Sequence, residues 1–196
     1  MENFSKKWEN IWYHYKWRIL AGIFALFCVI YTVTEFAMRN NSDVYVTYLG
    51  TNVDEIRLEE NLFNNFSDIA EDINNDNEKV FDAVSILYSS KLEGDMAFWQ
   101  RVDLDLANGK SYFYLVDESI FNMLKERGSI IPFNIKEDER TYFIDVTDNK
   151  YFEGCFNGKE RVYLTVRHEF SNLKGKELLI AENGKKIFEK IIDDIN

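Results

Sequence analysis

Residues 112–128 read YFYLVDESIFNMLKERG. The opening Tyr112–Val116 is apolar on both faces, which is the pattern of a strand buried in the middle of a sheet covered on both sides. A helix is expected from Glu118 to about Arg127, stopped by Gly128. One strand running straight into one helix is half of a βαβ unit, so the neighbouring segments decide the class.

Upstream the same alternation recurs twice. Val80–Tyr88 (VFDAVSILY) reads as a strand, and residues 92–107 as a helix with Met96, Trp99, Val102 and Leu106 on one face and Asn108-Gly109 as its stop. Before it, Val44–Leu49 is β-branched and aromatic and closes on Gly50. Ile56, Leu58, Leu62, Phe63, Phe66, Ile69 and Ile73 then recur at helical spacing over about 54–73, ended by the polar turn 74–77. The order β-α-β-α-β-α is α/β, and helix-separated strands are expected to pair in parallel through right-handed crossovers.

Downstream the pattern loosens. Thr141–Val146 reads as a strand. Residues 151–156 and 161–167 suggest a hairpin around Asn157-Gly158, a strong two-residue turn. Leu178, Ala181, Ile187, Phe188, Ile191 and Ile192 predict a closing helix from about Lys176, weakened in its middle by Gly184. The fold expected is one three-layer α/β domain, residues 44–196, with a mostly parallel sheet.

The N-terminal segment is of another kind. Ile19–Met38 reads ILAGIFALFCVIYTVTEFAM, 20 residues with a single charge, Glu35. At about 1.5 Å per residue this matches a hydrocarbon core of roughly 30 Å. Trp12, Tyr13, Tyr15 and Trp17 before it, and Tyr31 and Phe36 toward its end, suit the headgroup zones. Glu35 lies within a turn of the end, where it can snorkel. Lys6, Lys7, Lys16 and Arg18 precede the segment, and Arg39 follows it closely, so the positive-inside rule keeps residues 1–18 in the cytoplasm. The expected arrangement is a single-pass cell-membrane protein: transmembrane helix 19–38, linker 39–43 and an extracytoplasmic domain. A cleaved signal would need small residues near Thr34–Met38, and a lipoprotein signal a small residue before Cys28, where Phe27 stands. An uncleaved anchor is therefore expected.

Composition bounds the function. The 196 residues carry 23 basic and 34 acidic side chains, for a net charge of −11. The first 39 hold five basic and three acidic groups, so the acidity belongs to the rest. An acidic domain lacks the basic face that nucleic-acid binding requires. Two cysteines exclude a disulfide scaffold and a four-thiolate zinc site.

Several of these segments resemble a known family. VTYLG (Val46–Gly50), VSILY (Val84–Tyr88), Met96–Arg101 leading into LANGK (Leu106–Lys110), and Tyr112–Phe133 are similar to one lobe of bacterial extracellular solute-binding proteins, which have the type II periplasmic-binding-protein fold. The likeness covers roughly residues 44–133, with a return strand at 161–167. That family closes two lobes around a ligand, and this chain has length for one, so the resemblance is to a single truncated lobe that cannot bury a ligand by hinge closure. No family ligand residue is carried over.

Candidate chemistry is sparse. A ligand pocket would be expected outside the carboxyl ends of the strands, near Gly50, Ser89 and Asp117. Asp72, Asn74 and Asp76 open like a calcium loop, but the sixth and twelfth positions are Asn77 and Ala83 rather than glycine and a bidentate acid. A helix-ending polar turn is the expected reading, with no metal and no cofactor. Cys155 and His168 lack a third group for a thiol–base pair, and His14 lies in the aromatic belt. Asp103 with Asp105, and Asp193 with Asp194, fit solvated helix faces. Tyr45, Tyr48, Tyr112, Tyr114 and Tyr151 fit strand packing or an interaction surface. No hydrolase, phosphate-loop or metalloprotease motif is present.

The expected function is a membrane-anchored, non-catalytic binding module that engages a protein or peptide partner at a bacterial cell surface. Its partners would be the lipid bilayer, through 19–38, and that surface partner. The alternatives are a small-molecule solute binder acting as a dimer or with a transporter, and an envelope hydrolase.

Overall fold

A computed structural model of the chain describes residues 2–38, 42–88, 92–136, 139–158, 160–167 and 173–195. The chain forms two compact units, Met1–Asn41 and Ser42–Asn196. The first is one helix, α1 (Glu2–Met38), whose stretch Tyr15–Val33 is long and apolar enough to cross a membrane, with none of it buried.

The second unit runs β1 (Val44–Gly50), α2 (Glu55–Phe66), β2 (Phe81–Leu87), α3 (Leu92–Asn108), β3 (Phe113–Asp117) and α4 (Glu118–Glu126). It continues with β4 (Ile130–Ile131), β5 (Phe133–Lys136), β6 (Glu139–Thr141), β7 (Ile144–Asp145), a 3-10 turn (Lys150–Phe152), β8 (Val162–Arg167) and α5 (Lys176–Ile195). The central sheet has the order β2-β1-β3-β8-β4, with β7 also on β8. Strand β1 pairs in parallel with β2 and with β3, as the alternating sequence requires. Strand β8 pairs antiparallel with β3, β4 and β7, so the sheet is mainly parallel only in its first half.

Period-two alternation sends side chains to two cores. On one face Val44, Val46 and Tyr48 of β1, with Phe113 and Leu115 of β3, meet Leu58, Leu62 and Phe66 of α2 and Ile187, Phe188 and Ile191 of α5. On the other, Leu49, Tyr114 and Val116 meet Phe98 and Val102 of α3 and Ile120, Phe121 and Leu124 of α4. Two helices on each face make three layers. The doubly apolar strand at 113–117 is fully buried and lies third from the β2 edge, between β1 and β8.

The caps follow the local chemistry. The Asp54 side chain accepts from the Arg57 amide and starts α2. Gly128, at φ +68, ends α4, with its own N–H on Lys125 O and the Ser129 N–H on Leu124 O, both 3.0 Å. Gly184, which should weaken α5, is there for packing: a Cβ on it would stand 3.0 Å from the Cβ of Tyr112.

Three expectations are corrected. The helix over 54–73 stops at Phe66, and the chain turns through Ser67–Ala70 so that Ala70 enters the core. The segment 71–80 is then held by buried Asp43, whose carboxylate accepts from Ile73 N (2.8 Å) and Val80 N (2.9 Å). Thr141–Val146 is not one strand: its first residue ends β6, which pairs with β5, and Ile144–Asp145 joins β8. There is no hairpin at 151–156, because β8 is flanked by β3 on one side and by β4 and β7 on the other. Residues 150–155 instead form turns that bury Tyr151, Phe152 and Cys155, and Phe156 bridges to Val53.

Candidate functional site

The carboxyl ends of the parallel strands carry Gly50 and Asp117, as the sequence places them. The structure brings these two together and closes the space between them. Asp117 is buried; its Oδ1 accepts from the Tyr48 hydroxyl (2.6 Å), and its Oδ2 accepts from Thr51 N and Thr51 Oγ1 (2.9 Å each). A Cβ on Gly50 would stand 2.3 Å from the Tyr48 hydroxyl and 2.5 Å from Asp117 Cγ. Gly50 is thus small because the Tyr48–Asp117 pair passes over it, and the carboxylate is saturated by the protein itself. Burial and the Asp117 hydrogen bond hold the Tyr48 phenol well above its usual range. Ser89 lies outside the described residues.

The Asp72–Asp76 loop is likewise self-contained. Asp72 accepts from Asn75 N (2.7 Å) and Asn77 N (2.8 Å), and Asp76 accepts from Glu78 N (2.9 Å) and from Asn74 Nδ2 (2.7 Å). Asn75 and Asn77 take positive φ, which asparagine tolerates in turns. The carboxylates that a cation would need are turned onto the loop's own amides. Among the described residues no group of three or more His, Cys, Asp or Glu side chains could hold a metal.

Cys155 is fully buried, with Asn61 Nδ2 donating to its sulfur at 3.3 Å. Burial pushes its thiol up to about 11, so it is neutral in ordinary conditions and a poor nucleophile. His168, and the side chains of His14 and Glu35, lie outside the described residues. Of the paired acids, Asp103 meets Arg127 at 2.7 Å, and Asp194 meets Lys190 at 2.5 Å and the Tyr151 hydroxyl.

Asp105 departs from the expectation of a solvated helix face. Its helix turns it onto the sheet, where Oδ2 accepts from the Tyr114 hydroxyl at 2.7 Å and the Thr47 hydroxyl at 3.3 Å. Thr47 shares a 2.6 Å hydrogen bond with buried Ser111, and buried Arg167 donates to the Gly109 carbonyl. Thr47, Tyr114 and Thr165 sit in one register row across β1, β3 and β8. A polar seam thus crosses an otherwise apolar face under the end of α3. Burial raises the Asp105 pKa despite the two hydroxyl donors and the Arg167 charge, which pull it down. Of the five tyrosines, Tyr48, Tyr114 and Tyr151 are buried and pack, Tyr112 is half-buried against Phe188, and Tyr45 is half-buried, beside Asp105 and Asp82, and is pushed up to about 12, mainly by burial.

Open space gathers along β2, at the edge of the sheet. On the α3 side a groove of ≈ 450 Å³ is walled by Tyr45, Val84, Ile86 and Leu104, with Asp105 in its lining and Arg101 and Lys110 alongside. On the α2 side, one of ≈ 480 Å³ lies between Val53, Ile56 and Leu87, and one of ≈ 330 Å³ between Phe63, Val80 and Phe81. Sequence reasoning missed this edge. Its signal was present in Val84 and Leu87, apolar residues on opposite faces of a strand that pairs with β1 alone among the described residues.

Comparison with protein-family models, with curated proteins and with solved structures finds no match to this chain. Function is therefore argued from these residues.

Proposed function

We propose that this chain is a membrane-anchored binding module, with α1 as a single-pass anchor, residues 1–18 in the cytoplasm and the α/β domain on the outer side, engaging a protein or peptide partner without catalysing a reaction. The observation that carries the anchor is the stretch Tyr15–Val33, apolar and with none of it buried. Leaving the apolar side chains of this 19-residue stretch in water would be strongly unfavourable at about 25 cal/mol per Å². Support for binding comes from the grooves along β2 and from exposed Ile56, Leu87 and Leu104 beside them (70%, 52% and 63% exposed). The likeness of residues 44–133 to one lobe of solute-binding proteins agrees with a binding role.

The test is a topology experiment on the full chain. With Cys28→Ser in place, Glu126→Cys, at an exposed position of α4, is expected to react with a membrane-impermeant maleimide on intact cells. The protein should also stay with membranes through alkaline carbonate extraction. Labelling only after lysis would reverse the orientation, and release by carbonate would remove the anchor.

A second reading, a small-molecule binder, is favoured by one observation: the ≈ 450 Å³ groove has a partly buried carboxylate, Asp105, in its lining. Native mass spectrometry of the gently extracted protein separates the two. A co-purified small molecule, lost on unfolding, supports this second reading, and a stoichiometric protein adduct supports the first.

A further inference from the structure

Strand β2 is seven residues long, paired with β1 along its whole length from Val44↔Phe81 to Gly50↔Leu87, and stands at the end of the sheet. An outer edge of that length presents a row of unpaired amides and carbonyls. Here two alternate amides are covered by side chains. Ala83 N donates to Glu59 Oε1 and Ser85 N to Glu55 Oε1, both at 3.0 Å. Glu55 and Glu59 are one turn apart on α2, and Ala83 and Ser85 one strand repeat apart on β2, so helix and strand periods coincide at the edge. The two carboxylates stand where the carbonyl oxygens of an added strand would stand.

The ground beside this edge also has a strand's period. A strand added outside β2, about 4.7–4.9 Å away, would point alternate side chains to opposite faces. One face meets the groove walled by Val84, Ile86 and Leu104; the other meets the depressions at Ile56–Leu87 and Phe63–Phe81. The two faces differ in charge. On the α2 side, Glu55, Glu59 and Glu60 have no ion-pair partner among the described residues, and the cations there, Lys79 and Arg57, donate to the carbonyls of Ser67 and Gly154. Burial raises the Glu59 pKa, as expected of a carboxylate without a cation. The α3 side is walled by Tyr45, Val84, Ile86 and Leu104, with two cations, Arg101 and Lys110, and the Asp105 carboxylate in its lining.

From this juxtaposition we propose that β2 is a strand-addition site for an extended basic segment of a partner protein, with Lys or Arg toward the glutamates of α2, apolar residues toward the α3 groove, and Glu55 and Glu59 as displaceable placeholders. Charge complementarity selects this occupant over a second copy, since two such edges would bring four glutamates together. The inference rests on the binding-module reading and specifies the surface and the partner chemistry.

The test uses the full chain in nanodiscs of zwitterionic lipid and a fluorescein-labelled peptide, acetyl-KVKVKVK-amide, carrying a benzophenone for cross-linking. Saturable binding is expected, with cross-links confined to α2, β2 and α3. The glycine counterpart KGKGKGK, equal in charge, should bind at least ten-fold more weakly. Glu55→Lys with Glu59→Lys should weaken KVKVKVK at least ten-fold, and Glu55→Gln with Glu59→Gln, which keeps acceptor oxygens, should weaken it by less. No saturable binding, equal binding of the glycine peptide, or cross-links elsewhere would each overturn the proposal. A photo-cross-linking residue at Leu87 or at Leu178 of α5, in membranes of the producing cell, separates this failure from that of the broader reading. Stoichiometric adducts at Leu178 with none at Leu87 discard the β2 site and keep a binding module, and adducts at neither discard both.

Discussion

Asp105 shows how a single carboxyl can link folding to protons. Burial raises its pKa in the folded protein, while the unfolded chain holds it near 3.9. Between those two values the native state binds more protons than the unfolded one, so this group's contribution is greatest below the unfolded pKa. It is lost as pH rises through the raised folded value. Asp105→Asn removes that dependence. Denaturant midpoints measured from pH 3 to pH 7 should therefore fall more with rising pH in the parent than in the variant. A parallel pair of curves would show that Tyr114 and Thr47 fully offset the burial. Little of this residue was legible in the sequence, because Asp103 and Asp105 are alike there and helical phase alone does not say which is tucked against a sheet. Gly50 and Asp117 were legible by position at the strand ends, whereas the Tyr48 hydroxyl that donates to Asp117 was not, since it comes from the strand's own interior face.

At the scale of elements, glycines separate two kinds of constraint. Gly128 carries positive φ with no heavy atom within 4 Å of a Cβ, so its constraint is conformational. Gly128→Ala is expected to cost about 1–2 kcal/mol, the penalty of the left-handed region, and to do so without disturbing neighbours. Gly184 is helical, and its constraint is the approach of Tyr112. Gly184→Leu is expected to lose about 1–3 kcal/mol by overpacking, with altered aromatic packing of Tyr112 on Phe188. Thermal melts with near-ultraviolet circular dichroism distinguish the two: lower stability with an unchanged spectrum for the first, lower stability with a changed spectrum for the second. The elements readable in advance were those with strong local periodicity, such as β1, β2, β3 and α5. Apart from the helix over 54–73, which stops at Phe66, the failures fell between residues 130 and 160, where two-residue and three-residue strands are fixed by partners far away in sequence. A turn signal such as Asn157-Gly158 proposes a hairpin, but only the occupancy of both sides of β8 decides against it.

On the scale of the whole molecule, the two hydrophobic cores of the α/β unit are built from residues between Val44 and Ile192. A chain beginning at Ser42 is therefore expected to be soluble without detergent and to unfold cooperatively, at the same midpoint as the full chain in mild detergent. Sedimentation velocity and thermal melts check this, and a midpoint several degrees lower would show that residues before 42 contribute to the domain. The three-layer class was legible because each helix follows a strand. The antiparallel return of β8 was not, since a strand's direction depends on how the chain between Gly128 and Val162 travels and not on the strand's own residues.

Buried Asn183 sets an order of events. Its amide donates to Asp43 O (3.0 Å) and Glu71 O (2.8 Å) and accepts from Glu71 N (3.0 Å), the first of these across 140 positions in the chain. A nascent chain that has not yet reached residue 183 leaves those main-chain groups at the start of the domain without their partner, at a cost of about 1–3 kcal/mol for each that is buried. The residue before the domain's first strand and the segment after α2 are thus completed by its last helix. Ribosome-bound intermediates should stay protease-sensitive at residues 43–80 until α5 has emerged, then become resistant in a single late step.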